Sequence, residues 1–140
     1  MSYELRFEQE PTYLHVVVTG ANSKQTVAAY LEDVRRECVA RNCFRVLIEE
    51  RLEGARLGIM DVFEIAAEGS RRAPAQFKAF AYVDVNGGGD LMKFAETVAM
   101  NRGLPVMVFG TVAEAREWLL RQHAASAEAT FRVADDSSSR

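Results

Sequence analysis

Apolar residues along this chain recur at two different periods, and the switches between them mark out its elements. From Tyr3 to Glu8, Tyr3, Leu5 and Phe7 alternate with Glu4, Arg6 and Glu8, the pattern of a half-exposed strand. Glu10-Pro11-Thr12 then reads as a turn of hairpin length before a more apolar strand, Tyr13 to Thr19, so these two strands should pair antiparallel. Gly20 and Ala21 end that strand, and Asn22 or Ser23 caps a helix, Asn22 and Gln25 having capping-box spacing. The inner face of this helix is Val27, Tyr30, Leu31, Val34 and Cys38 at steps of three and four, and Asn42 suits its left-handed end. Phe44 to Ile48 is almost continuously apolar, as in a strand covered on both faces. A polar loop from Glu49 to Leu57 leads into a second helix, with Ile59, Met60, Phe63, Ala66 and Ala67 as its inner stripe and Gly69-Ser70 as its end.

The same step then repeats. Lys78 to Val85 is a strand, Asn86 to Gly89 a flexible turn, and Asp90 the cap of a third helix with Leu91, Phe94, Ala95 and Val98 inward. Asn101-Arg102-Gly103, followed by Leu104-Pro105, is a strong stop. Val106 to Phe109 is the last strand, and Thr111 with Glu114 forms a capping box for a fourth helix whose inner face is Val112, Ala115, Trp118 and Leu119. Periodicity stops after Arg121, so residues 122–140 are expected to be a disordered tail behind a domain at 1–121, with Phe131 and Val133 as the tail's only sizeable apolar groups.

Each strand-helix-strand step brings in the next strand in parallel through a right-handed crossover. The expected fold is therefore a single α/β domain: a mostly parallel five-stranded sheet with an antiparallel N-terminal edge strand and four helices. The carboxyl ends of the parallel strands share one rim, where ligands of such sheets usually dock.

Composition narrows the function. The chain has 140 residues, 49% hydrophobic and 26% charged, enough for one globular core. A net charge of −3 supplies no basic field for nucleic acid or an anionic membrane. No apolar run approaches the ~20 residues of a membrane span, and the N-terminus has no signal-like core, so the protein is expected to be cytoplasmic. Cys38 and Cys43 read as reduced thiols.

The candidate chemistry lies on the rim. Gly87-Gly88-Gly89 between strand and helix could cradle an anion, but the lysine and hydroxyl of a phosphate loop are missing and Asp90 would repel a phosphate. Glu49, Glu50, Glu53 and Asp61 form an acidic group that reads as a solvated rim. His15 and His123 lack partners at ligand spacing, so neither a metal nor a cofactor is expected.

The order of elements, the N-R-G turn at residues 101–103 and the close from Phe109 through Glu114-Ala115 to Trp118-Leu119 together resemble the STAS domains. Those are the sulfate-transporter and anti-sigma-factor-antagonist modules, and the nearest likeness is to the stand-alone sporulation antagonists. The resemblance spans residues 3–121 and implies a regulatory module that docks on a protein partner. Antagonists of this type open their second helix with an Asp-Ser-Ser-Gly-Leu run whose second serine is phosphorylated. Here Ala55-Arg56-Leu57-Gly58-Ile59 stands in that place, with Leu57 at the phosphoserine position and Glu49 at the strand-end acidic position.

The first reading is thus a non-enzymatic protein-interaction module without the phosphoacceptor, using Glu49, Arg56, Leu57, Gly58, Asp61, Asn86, Gly87 and Asp90 on the rim and second helix to hold an unidentified protein partner or a second copy of the chain. The second is a carrier of an apolar small molecule or lipid beneath the second helix, drawn from Ile59, Met60, Val62 and Phe63 and from the likeness of stand-alone STAS proteins to lipid-exchange domains. The third is an enzyme using the rim carboxylates. An apolar cavity under the second helix favours the second reading over the first, and converging carboxylates with shifted pKa values favour the third. No serine or threonine lies between Thr26 and Ser70, so phosphopeptide mass spectrometry of protein from its own cells should find no phosphoserine or phosphothreonine from Glu49 to Asp61.

Overall fold

Strand order explains the architecture of the computed structural model, which describes residues 3–72, 77–85 and 89–124. The strands β1 (Tyr3–Gln9), β2 (Leu14–Ala21), β3 (Arg45–Glu53), β4 (Ala79–Asp84) and β5 (Val106–Phe109) lie side by side in sequence order in one sheet. β1 runs antiparallel to β2 and every later pair is parallel, so the expected α/β sheet with an antiparallel edge strand is the one observed. The crossover helices are α1 (Lys24–Arg41), α2 (Ile59–Arg72) and α3 (Gly89–Asn101). Because every crossover steps in the same direction and is right-handed, all three helices fall on one face. The fourth helix, α4 (residues 112–124), follows β5 and packs on the other face.

The strands' alternation divides the core in two. Val16, Val18, Val46, Ile48 and Leu52 point toward the three-helix face and pack with Val27, Tyr30 and Val34 of α1. Leu47, Ala79, Ala81 and Val83 point the other way, against Ala115 and Leu119. Ser23 is the α1 cap, its hydroxyl accepting the Thr26 N–H at 3.0 Å, and Asn42 ends the helix at φ 52° in the left-handed region. Gly103 takes φ 87° at the stop after α3, where Leu104 N–H reaches back to the Ala99 carbonyl at 3.1 Å. Thr111 accepts the Glu114 N–H at 3.2 Å, capping α4, and donates to the Glu114 carboxylate at 3.0 Å. Both cysteines are free, and burial pushes the Cys38 thiol up to about 12. Among the described residues no helix is long and apolar enough to cross a membrane.

Several expectations change. β3 continues through Glu53, well past Ile48, because its ladders to β2 and β4 run on to Ala21↔Glu53 and Glu50↔Asp84. The charged letters EERLE hide an alternation in which Leu52 is fully buried. Glu49 and Glu50 are correspondingly buried, at 8% and 4% exposure, and are not a solvated rim. Helix α2 continues past Gly69-Ser70 to Arg72, whose guanidinium with that of Arg71 binds Glu68. Of its expected inner stripe, Ile59 and Met60 are exposed, Phe63, Ala66 and Ala67 are half-buried, and no α2 residue is fully buried. Trp118 is only half-buried, stacked at 5.5 Å on Phe109, while Ala115 and Leu119 carry the α4 contact. The helix runs on to residue 124; Phe131 and Val133 lie outside the described residues. Leu119→Ala should therefore cost about 2–5 kcal/mol, the usual range for a fully buried leucine, read as a lower midpoint in urea denaturation.

Candidate functional site

The sheet and its three crossover helices do not close completely on each other. Under α2 they leave a partly open cavity of about 310 Å³. Its cause is the size of the inward side chains: Ala66 and Gly69 of α2 and Ala95 and Ala99 of α3 face the sheet there, and none is long enough to fill the gap. Leu57, Val62, Ile65, Phe77, Phe80 and Met92 supply most of the remaining wall, so the lining is chiefly apolar. Outside it, Phe63 packs on Phe94 of α3 at 6.4 Å, and Arg102 lies over the Phe63 ring at 5.4 Å, tying α2 to α3.

One end of the cavity is polar, and three elements build it. In β3, Val46, Ile48, Glu50 and Leu52 share a face, which turns the Glu50 carboxylate toward the helices. In β4, Phe80, Tyr82 and Asp84 share the matching face, and Tyr30 enters from the buried stripe of α1. The Tyr30 and Tyr82 hydroxyls both donate to Oε2 of Glu50 and lie 2.8 Å apart. Loss of hydration raises the Glu50 pKa above its ordinary value; the phenol donors and the charge of Arg56 pull against the shift, and Asp84 adds to it. Burial and the Glu50 charge drive both tyrosines well above their ordinary range. Beside them, Arg56 Nη2 donates to Asp84 Oδ2 at 2.7 Å, a bond that raises the guanidinium's pKa. The loop carrying Arg56 is clasped to the end of β2: Asn22 N–H donates to the Glu53 carbonyl at 2.7 Å and Asn22 Nδ2 to that of Ala55 at 3.0 Å. Gly54 permits the turn, at φ 112°.

The residues expected on the rim separate. Glu49 points to the α4 face, where Nε2 of His15 lies 3.0 Å from Oε1 and Arg51 binds Oε2. Burial raises the Glu49 pKa, but these bonds outweigh it and the net shift is downward, opposite to its neighbour Glu50. Arg56 and Leu57 line the cavity; Leu57 is half-buried against the core and not a free apolar knob. Gly58 is exposed and its carbonyl accepts the Val62 N–H, while Asp61 sits in the first turn of α2. Asn86 and Gly87 lie outside the described residues, as does the Asp90 side chain at the start of α3. The acidic group Glu49, Glu50, Glu53 and Asp61 does not converge as a set. Tyr30, Tyr82 and Asp84 were missed as site residues, although the alternation of β4 already placed Tyr82 and Asp84 on one side. Glu8, Glu10 and His15 also bring possible ligand atoms within 4.8 Å of one another on the α4 side, a grouping that sequence spacing did not disclose.

The chain is similar in structure to an uncharacterised protein of the DUF3478 family with a SpoIIAA-like fold from Shewanella loihica PV-4. The TM-score is 0.48 at 20% identity, covering 84% of this chain and 93% of the other. No protein-family model and no curated protein matches the chain.

Glu50 titrates at higher pH in the folded protein than in the unfolded chain, so its proton favours folding below the unfolded value, and that advantage is lost as pH rises through the folded one. Glu50→Gln should accordingly gain stability relative to wild type as pH is raised from 4.5 upward, measured by urea melts across that range.

Proposed function

We propose that this protein is a non-enzymatic binding module of STAS-like fold that holds an apolar small molecule beneath α2. The cavity carries the reading. At about 310 Å³ and with a chiefly apolar lining, it falls within the usual size of small-ligand sites. An apolar occupant would take this lining out of contact with water. The polar end then fixes orientation, as a few placed polar groups do in an otherwise apolar pocket.

The protein-docking reading retains one support of its own. Ile59 and Met60 are 58% and 65% exposed at the start of α2, beside the loop that carries Arg56 and Leu57. A partner seated there would touch the outside of the helix that roofs the cavity.

The uncharged fluorophore N-phenyl-1-naphthylamine tests the cavity. It should bind saturably at one site, with enhanced blue-shifted emission, and Ala95→Phe should abolish that signal by filling the space between α3 and the sheet. Circular dichroism should show Ala95→Phe folded. Absence of saturable binding, or binding that survives in the folded variant, would overturn the reading.

A further inference from the structure

We propose that the occupant is an amphiphilic amine, an apolar body carrying a protonated amino group that seats on the Glu50 carboxylate. This rests on the ligand-binding reading and adds the chemistry of the head group.

The charges around the cavity single out Glu50. Glu32 is bonded by Arg35 at 2.5 Å, Glu68 by Arg72 at 2.8 Å, Asp84 by Arg56 at 2.7 Å, and Glu96 by Lys93 at 3.3 Å. Glu50 is the lining carboxylate that no basic side chain bonds among the described residues; only the phenols of Tyr30 and Tyr82 do. It is also 4% exposed, so water screens its charge only weakly. Both phenols converge on Oε2, and among the described residues neither reaches Oε1. An ammonium group supplies up to three donors and the positive charge that no side chain bonded to Glu50 provides. The aromatic wall of Tyr82 and Phe80 offers a further attraction to a cation.

Other head groups fit less well. A carboxylate or phosphate would meet two carboxylates, Glu50 and Asp84, and one guanidinium already committed to Asp84. A hydroxyl could donate to Oε1 but would leave the charge unbalanced in a desolvated setting. The groups facing Glu50 are Tyr30 from α1, Tyr82 and Asp84 from β4, and Arg56 from the loop. With the phenols raised well above their ordinary range, Glu50 is the group whose proton competes with the amine at acidic pH.

Displacement of N-phenyl-1-naphthylamine from the full-length protein by decylamine, decanol and decanoate, each below its micellar concentration, tests this. Decylamine should displace the probe at about one-tenth of the decanol concentration or less, as a charge-assisted bond in a buried site requires, with decanoate weakest. The decylamine-to-decanol ratio should collapse toward one in Glu50→Gln. It should also shrink in the wild-type protein as pH falls through the Glu50 titration, a measurement that needs no variant. Decanol or decanoate matching decylamine, or a preference indifferent to pH, would overturn the amine assignment with the cavity reading intact. Failure of the probe itself to bind would instead remove the cavity reading.

Discussion

The constraint on which the rest depends is a strand order that never reverses. A sheet laid down in sequence order, with every crossover right-handed, must stack α1, α2 and α3 on one side and leave the other to α4. Doubly wound sheets split their helices between two faces and open a crevice where the order turns. With no such turning point between β2 and β5, the space for a ligand has to come from the packing of the helices themselves. It arises under the middle helix, whose neighbours on both sides fix its position while Ala66 and Gly69 on its inner side are too short to fill the gap.

The same sheet gives two adjacent glutamates opposite surroundings. Glu49 and Glu50 differ by one step in β3, and that step carries one side chain to the α4 face and the other to the helical face. On the first face Arg51 and His15 hold the carboxylate in its charged form; on the second, two phenols and poor hydration favour the proton. Neither outcome follows from the residue type. Both follow from strand parity.

Strand parity also explains how much the sequence could disclose. Element order, the antiparallel edge strand, the Asn42 and Gly103 stops and the Thr111 cap rest on local chemistry, and all were legible. The length of β3 was not, since the pairing that sustains it through Glu53 comes from β2 and β4, distant in sequence. The phase of α2 was legible only in part: Ile59, Met60, Val62, Phe63, Ile65 and Ala66 are apolar around most of the helix, so periodicity alone admits more than one inner face. Of the polar end, Glu50 was visible as one acid among several. Its pairing with Tyr30 and Tyr82 joins positions 20 and 32 residues away and needed the fold to be seen.

A helix without a fully buried side chain is also a helix that is inexpensive to detach. The free energy of lifting α2 is set by half-buried contacts and by the Phe63 stack with Phe94 and Arg102, whereas lifting α1 would expose Tyr30 and Val34 from the centre of the core. These contacts predict two tiers of cooperativity, with α2 opening more readily than the sheet and α1. Amide hydrogen exchange would register the difference as earlier deuteration of residues 59–72 than of residues 24–41. A molecule could in that case enter and leave through subglobal opening alone, with its residence time governed by the roof and not by the stability of the fold.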